Sequence, residues 1–361
     1  MKKIHKKYLL LAHTLAKKQF GKTFPNPSVG CVLVKNNKIL SMSSTGLKGR
    51  PHAEEIVLKR AGKKSIGSTM YVTLEPCYHN SIFGSCANQI VKSKIKDIYI
   101  SKIDPDLRTN RKSIQLFKKN SIKTYVELLS NKLNQLNKFY FVSTKLGRPY
   151  IKVKMAISKD EKIARQDFSS KWISNSKSRL YAHSIRNNSQ AILTTAKTVI
   201  KDNPRFTVRK NNKIIRYLNI IVIDCSLKIP LKSKILKNLS KKRIIIFTSK
   251  NNKKSAKLEK LGCKIIKMKK NNKSQMNLKN IFKKIYQLQI RDILVEAGGV
   301  LFTQLIKTSL IDELHIFRAP IKIGNHGIPL IIGKSINDLN ITKISKKRFG
   351  NDQYSNYVIK P

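Results

Sequence analysis

The stretch that decides the fold of the first half is Thr73-Leu74-Glu75-Pro76-Cys77, which closes an apolar run starting at Met70. His52-Ala53-Glu54 lies upstream at the start of a predicted helix, and Cys86 follows Cys77 after eight intervening residues. One His and two Cys are ligands that zinc prefers, and three protein ligands leave a fourth position for water. The pattern therefore predicts a catalytic zinc site on His52, Cys77 and Cys86, with one ion per chain.

Glu54 is the predicted proton-transfer residue of this site. It lies two positions after His52, so at a helix start its carboxylate reaches the same cavity without binding the metal. Zinc lowers the pKa of a bound water to about 7, and a carboxylate beside it can carry a proton to a leaving amine. A lone His is more often structural and two Cys are often small core residues, so the prediction depends on the combination.

Strand and helix patterns alternate on both sides of this stretch, which favours an α/β layer fold. A stripe of apolar residues over 9–16 predicts an N-terminal amphipathic helix. Further elements of the first half are predicted as strands 29–34, 70–74 and 98–101 and helices 52–60, 86–92, 114–119 and 128–144. Gly147-Arg148-Pro149 then interrupts the pattern, so we predict two domains, 1–146 and 147–361.

The second half repeats the α/β alternation. Its predicted elements are strands 150–157, 220–223, 243–247, 264–266, 293–295, 313–318 and 355–359 and helices 176–185, 255–261 and 278–289. Glu296-Ala297-Gly298-Gly299 follows an apolar strand and precedes a predicted helix, 300–306. Glycines allow close backbone approach, and a helix N-terminus suits a pyrophosphate.

The composition is dominated by charge: Lys and Arg total 75 against 19 Asp and Glu, a formal net charge of +56. Such a charge suggests nucleic-acid binding, but the lysines are spread along the whole chain, and aromatic residues make up only 7%. We therefore expect no nucleic-acid partner.

Five scattered cysteines predict a reducing, cytoplasmic location, and no apolar run reaches the length of a membrane span.

Three segments, 23–30, 51–54 and 73–77, resemble the bifunctional deaminase/reductase family of riboflavin biosynthesis, and the resemblance extends over nearly the whole chain. Zinc nucleobase deaminases usually have two residues between the cysteines, and the eight found here are typical of this subfamily. The resemblance implies an N-terminal cytidine-deaminase-like α/β/α domain that removes an amino group from a phosphoribosyl diaminopyrimidine. It also implies a C-terminal dihydrofolate-reductase-like α/β domain that uses NADPH to reduce the ribosyl group to ribityl.

The same resemblance implies roles for individual residues. Zinc would be bound by His52, Cys77 and Cys86, with Glu54 as the proton donor. The implied substrate-binding residues are Asn26, His79, Ser170, Arg186, Phe206, Arg209 and Glu296. The implied NADP-binding residues are Ala156, Trp172, Thr198, Asp202, Cys225, Gly298, Gly299, Val300, Leu301, Phe302, Thr303 and Gln304. The implied partner is the phosphoribosyl pyrimidine substrate. The chain is also expected to form a homo-oligomer. For Asn26, a purely structural role in a turn between two prolines stays open.

Three positions and one segment depart from the family pattern. Ile82 occupies a position that is usually basic, and residues 106–110 replace a Gly-rich turn. Glu161 occupies a position that is usually Gly, and Cys225 one that is usually Ser. Loss of a cation weakens an anion contact, and a thiol is a weaker donor than a hydroxyl. A second interpretation is therefore the same family with one half impaired, through Ile82 or Glu161.

Two further interpretations are weaker. A nucleoside or tRNA deaminase with an appended domain does not account for the cysteine spacing or for the reductase-like segments. A basic nucleic-acid-binding protein with a vestigial site rests on net charge alone.

Overall fold

The computed structural model describes residues 3–79, 84–128, 135–167, 173–271 and 276–359. The chain divides into two units, Met1–Arg148 and Pro149–Pro361. Each unit has its own main sheet and its own apolar core.

The first unit is a five-stranded sheet with helices. Its helices are α1 Lys3–Gln19, α2 Ala53–Ala61, α3 Cys86–Lys92, α4 Lys112–Lys119 and α5 Lys138–Leu146. Its strands are β1 Gly30–Lys35, β2 Lys38–Ser44, β3 Thr69–Val72, β4 Asp97–Ile100 and β5 Lys123–Tyr125. The strand order is β2-β1-β3-β4-β5. β1 pairs antiparallel with β2 and β3, whereas β3, β4 and β5 run parallel.

Apolar residues on both faces of β1 explain why this sheet is covered on both sides. Cys31 and Leu33 belong to the core cluster that includes residues of α2, α3 and α4, whereas Val32 and Val34 pack with residues of α1. Because side chains alternate across a strand, the pattern of β1 requires helices on both faces. The chain leaving the carboxyl end of β3 then leads directly to Cys77.

Of the predicted helix over 128–144, the structure confirms 138–144, whereas residues 128 and 135–137 are turns. The helix α5 begins only at Lys138. The Asn137 side chain accepts a hydrogen bond from Ser28 N at 3.0 Å and donates one to Ser28 O at 2.9 Å. This contact across 109 residues fixes the turn, and no local pattern could have revealed it.

The second unit contains a nine-stranded sheet. Its helices are α6 Ser176–Asn187, α7 Ala196–Asp202, α8 Lys253–Lys260, α9 Leu278–Gln287 and α10 Gly299–Lys307. Its strands are β6 Tyr150–Ile157, β7 Lys162–Ala164, β8 Ala191–Thr195, β9 Thr207–Lys210, β10 Lys213–Tyr217, β11 Asn219–Ile223, β12 Ile244–Thr248, β13 Lys264–Lys267, β14 Asp292–Val295, β15 Glu313–Arg318, β16 Ile328–Pro329, β17 Ile341–Phe349 and β18 Asp352–Ile359.

The order of the large sheet is β13-β12-β11-β8-β14-β6-β15-β18-β17. Its first seven strands are parallel to their neighbours, and β18 and β17 join as an antiparallel hairpin. The central parallel strands are almost wholly buried, as expected where helices cover both faces. The carboxyl ends of β6, β8, β11 and β14 therefore lie along one edge, where open α/β sheets bind ligands.

No helix in the described part of the chain is long and apolar enough to cross a membrane.

Candidate active sites

The first unit brings together the three predicted metal ligands. His52 Nδ1 lies 3.3 Å from Cys86 Sγ and 3.6 Å from Cys77 Sγ, and the three donor atoms lie within 4.8 Å of one another. Nitrogen and sulfur ligands held tetrahedrally at zinc distances are separated by about 3.6 Å. The donor set and its spacing therefore fit zinc.

Two helix starts and one strand end position these ligands. His52 immediately precedes α2, and its backbone N–H donates to Glu55 Oε2 at 3.3 Å. Cys86 is the first residue of α3, and its N–H donates to Cys77 Sγ at 3.4 Å. Hydrogen bonds from Cys86 and His52 lower the pKa of the Cys77 thiol to about 4. Cys77 is thus stabilised as the thiolate that a metal requires.

Glu54 lies in the first turn of α2, is only 3% exposed, and does not belong to the ligand cluster. Its Oε2 atom is buried without a hydrogen-bond partner among the described residues. Burial raises the pKa of this carboxyl to about 7. A carboxyl with that pKa both accepts and releases a proton near neutrality, so its position and its protonation both suit proton transfer.

The two predicted substrate residues of the first unit are held by neighbouring loops. Asn26 Nδ2 donates a hydrogen bond to Gly49 O at 3.0 Å. His79 Nδ1 lies 3.3 Å from Thr109 Oγ1, which also accepts from Tyr78 N at 3.3 Å. The segment that replaces the Gly-rich turn thus holds His79 through Thr109, which sequence reasoning missed. Ile82 lies outside the described residues.

The second unit contains a cavity of about 1510 Å³ at the carboxyl edge of its sheet. Of the residues predicted to bind cofactor, those lining it are Ala156, Thr198, Asp202, Cys225, Gly298, Gly299, Val300, Leu301 and Gln304. Of those predicted to bind substrate, Arg186, Phe206, Arg209 and Glu296 line it. Residues more than 100 positions apart in the sequence therefore meet at one site.

Two predicted cofactor residues are placed elsewhere. Phe302 is 1% exposed and belongs to the apolar core. Thr303 is buried, and its hydroxyl accepts from Ile332 N at 3.1 Å. Phe302 thus packs into the core and Thr303 holds the backbone at Ile332, and neither residue lines the cavity. Ser170 and Trp172 lie outside the described residues.

Glu296 forms the charged centre of the cavity. It pairs with Arg186 through two hydrogen bonds, at 2.5 and 2.8 Å, and Lys154 Nζ lies 3.1 Å from its Oε2. Burial alone raises the pKa of this carboxyl, but the two cations hold it well below its usual range. The guanidinium of Arg186 is thereby paired with Glu296 and helps to hold it ionised.

His183 and Lys154 are lining residues that sequence reasoning missed. His183 Nδ1 accepts from Arg209 N at 3.2 Å. Burial, with Arg186 and Arg209 nearby, lowers the pKa of His183 to about 4, so its ring is neutral at physiological pH. Two signals were available: His183 lies three residues before Arg186 on one helix, hence on the same face, and Lys154 interrupts an apolar strand.

Phe206 adopts a strained backbone conformation at the cavity. Its φ is 48°, in the left-handed region that bulky residues avoid. Its ring is 5% exposed and lies 5.8 Å from the Arg186 guanidinium carbon. Such strain is concentrated at functional sites, which agrees with the predicted role of Phe206 in binding substrate.

The cavity also fits a phosphorylated dinucleotide. Gly298 precedes α10, and a Cβ atom added there would meet no atom within 4 Å, so the backbone at this helix start is open to a ligand. Among the lining residues, lysines and arginines outnumber carboxylates seven to two. A helix N-terminus in a cationic cavity is suited to binding phosphate groups.

A metal site with a buried carboxylate in one unit, and a cationic cavity of dinucleotide size in the other, define a metal-dependent deaminase joined to a reductase. Two family models match accordingly. Residues 2–102 match the cytidine and deoxycytidylate deaminase zinc-binding region, and residues 149–354 match the RibD C-terminal domain.

Relatives over the full length agree. The chain is 36% identical to riboflavin biosynthesis protein RibD of Aquifex aeolicus, over 96% of this chain and 93% of that protein. It is 32% identical to the RibD of Buchnera aphidicola subsp. Baizongia pistaciae, over 92% and 91%. The chain therefore belongs to the RibD family of riboflavin biosynthesis enzymes, with a zinc-binding deaminase domain and an NADPH-using reductase domain.

Solved structures support the fold of both halves. One form of Acinetobacter baumannii RibD has a TM-score of 0.89 at 28% identity, covering 99% of each chain. A Thermotoga maritima protein has a TM-score of 0.82 at 25% identity, also covering 99% of each chain. That protein is described as a diaminohydroxyphosphoribosylaminopyrimidine deaminase and 5-amino-6-(5-phosphoribosylamino)uracil reductase.

Proposed function

We propose that this chain catalyses two consecutive steps of riboflavin biosynthesis. The first is hydrolytic deamination of a phosphoribosyl diaminopyrimidine, and the second is NADPH-dependent reduction of the ribosyl group of the resulting uracil to a ribityl chain. The observation that carries the proposal is the buried, unpartnered Glu54 oxygen beside the ligand cluster His52, Cys77 and Cys86. The activities named for the Thermotoga maritima protein supply the substrate class.

In the deaminase domain, His52, Cys77 and Cys86 would hold zinc, which supplies Lewis-acid activation of a water molecule. Glu54 accepts a proton from the water and returns it to the leaving amine, which its pKa of about 7 allows at neutral pH. His79, fixed through Thr109, and Asn26 would orient the substrate.

In the reductase domain, NADPH would bind along Gly298, Gly299 and the start of α10 and supplies the reducing equivalent. Glu296, held ionised by Arg186 and Lys154, would accept hydrogen bonds from sugar hydroxyls. Arg209, exposed at the cavity, would contact the phosphate. The remaining predicted lining residues would enclose the cofactor and the sugar.

We assign the deaminase to residues 1–146 and the reductase to residues 147–361. None of the five cysteines forms a disulfide, which supports a reducing cytoplasmic location. A homo-oligomer of this chain is also part of the proposal.

The test supplies the phosphoribosyl diaminopyrimidine and follows ammonia and NADPH separately. Without NADPH, we expect ammonia release with no further change; adding NADPH should then oxidise one cofactor for each ammonia. Ammonia release with no NADPH oxidation would instead identify an impaired reductase. No ammonia, with NADPH oxidised only when the deaminated compound is supplied, would identify an impaired deaminase.

A further inference from the structure

The turn between β6 and β7 contains Glu161, at a position where the family resemblance predicts Gly. Its φ is 60°, in the left-handed region where a side chain is unfavourable. The turn is therefore made at a cost, and the sequence alone suggested damage to the reductase. The side chain, however, makes contacts that Gly could not.

Glu161 is bound to two separate parts of the second unit. Its Oε1 accepts from Arg318 at 3.0 Å, at the end of β15, and its Oε2 accepts from Ile336 N at 3.1 Å. Its backbone oxygen accepts from Leu330 N at 3.0 Å. Two of the three contacts hold residues 328–336, which we call the roof segment.

The roof segment covers the start of α10, where the cofactor is proposed to bind. Ile328, Pro329 and Ile332 line the cavity. A Cβ added at Gly299 would lie 2.8 Å from the carbonyl oxygens of Pro329 and Leu330, so the roof backbone touches the first residue of α10. A shift of the roof segment would therefore change the cavity wall at this helix start.

We propose that Glu161 is a positioning residue that fixes the roof segment over the NADPH site of this chain. Its carboxylate joins the turn to Arg318 and to Ile336 and so compensates for the unfavourable backbone conformation. The departure from Gly is thus a specific adaptation of the reductase domain. The link to NADPH rests on the proposed function, whereas the link to the roof segment rests on the contacts alone.

The test compares Glu161→Gly and Glu161→Gln with the unmodified full-length enzyme. Direct NADPH titration should show a dissociation constant raised about fivefold in Glu161→Gly, the effect of losing a charged hydrogen bond partly offset by backbone relief. Glu161→Gln keeps an acceptor for Ile336 N and should show a smaller rise. Hydrogen exchange without ligand should be faster in 328–336 in Glu161→Gly. Ammonia release should be unchanged in both variants.

Two controls separate the causes. Asn238→Gly relaxes another left-handed residue of the same unit, with φ 59°, and Glu259→Gln removes the same charge from the exposed surface of α8. Both should leave NADPH binding and hydrogen exchange in the roof segment unchanged. A double-mutant cycle of Glu161→Gln with Arg318→Gln should show non-additive effects on roof exchange, because each change removes the same contact.

The proposal is overturned if Glu161→Gly binds NADPH as tightly as the unmodified enzyme and exchanges equally slowly over 328–336. If the unmodified enzyme binds no NADPH, the proposed function fails instead. The exchange comparison still decides whether Glu161 holds the roof segment.

Discussion

Three side chains, His52, Cys77 and Cys86, are the proposed zinc ligands, and replacing one of them has a testable effect. Cys77→Ser replaces a thiolate by a hydroxyl that zinc binds weakly, so we expect the purified variant to lose most of its zinc and its ammonia release. Metal analysis of the purified protein measures this directly. Cys225→Ser is the matched control, because Cys225 lines the other cavity; it should keep about one zinc per chain. Equal zinc in both variants would contradict the ligand assignment.

His183 is expected to affect substrate binding through Arg209. His183→Asn can still accept the hydrogen bond from Arg209 N, whereas His183→Ala cannot. We expect His183→Ala to raise the KM for the phosphorylated substrate about tenfold, the usual effect of losing one hydrogen bond. His183→Asn should stay close to the unmodified enzyme. Steady-state reductase kinetics distinguish the two, and equal KM values for both variants would exclude this role.

The sequence could predict the site of the first half more completely than the site of the second half. His52, Cys77 and Cys86 carry metal chemistry in their residue types, so the pattern predicted the cluster that the structure brings together. The cavity of the second unit depends on side chains whose types are common everywhere. Whether Arg186 faces a phosphate or a carboxylate is decided by Glu296, 110 residues away.

At the scale of elements, the start of α10 offers a paired test. Gly299→Ala places a methyl group 2.8 Å from two roof carbonyl oxygens, which should lower the free energy of unfolding of the second unit by about 1–3 kcal/mol. Gly298→Ala meets no atom within 4 Å, so it should fold normally and weaken only NADPH binding. Thermal unfolding and cofactor titration measure the two effects. Similar stability loss in both variants would contradict this division.

The loop after β4 gives a prediction for pH. Burial raises the pKa of Asp104 from 3.8 to about 7, while its Oδ1 accepts from Tyr140 of α5 at 2.9 Å. The folded protein thus binds this proton more tightly than the unfolded chain. The free energy of unfolding contributed by this group is fully present below pH 3.8 and is lost as the pH rises towards 7.

The free energy of unfolding should fall less with rising pH in Asp104→Asn than in the unmodified enzyme. Denaturant unfolding between pH 5 and pH 8 measures this. Asp106→Asn is the control, because hydrogen bonding from Arg108 lowers the pKa of Asp106. In that variant the free energy of unfolding should still fall as the pH rises. An unchanged pH dependence in Asp104→Asn would show that Asp104 does not cause it.

Elements with a clear apolar pattern were predicted well, whereas short or largely exposed strands were not. The helix over 86–92 and the strand over 150–157 match α3 and β6 in both bounds. β17 was missed because its side chains are largely exposed and charged, so it shows no apolar alternation. β9 and β10 were also missed, because they form a short hairpin. Asn211 and Asn212 adopt left-handed conformations at its turn.

At the scale of the whole molecule, part of the net charge of +56 lies at the reductase cavity. Lysines and arginines predominate among the residues lining the reductase cavity, where a phosphorylated substrate and cofactor are proposed to bind. Yet the central cations there, Arg186 and Lys154, are bound to Glu296. We therefore expect specific recognition of the substrate to depend on this buried ion-paired network, and the surrounding charge to attract anions in general.

The central claim is that one chain contains two separate activities, with Glu54 acting in the first alone. Glu54→Gln tests this most directly when ammonia and NADPH are followed with two different substrates. The variant should keep its zinc and release ammonia from the diaminopyrimidine at least about 100-fold more slowly. Given the deaminated compound, it should oxidise NADPH at the unmodified rate. Ammonia release close to the unmodified rate, or loss of NADPH oxidation with the deaminated compound, would contradict the account.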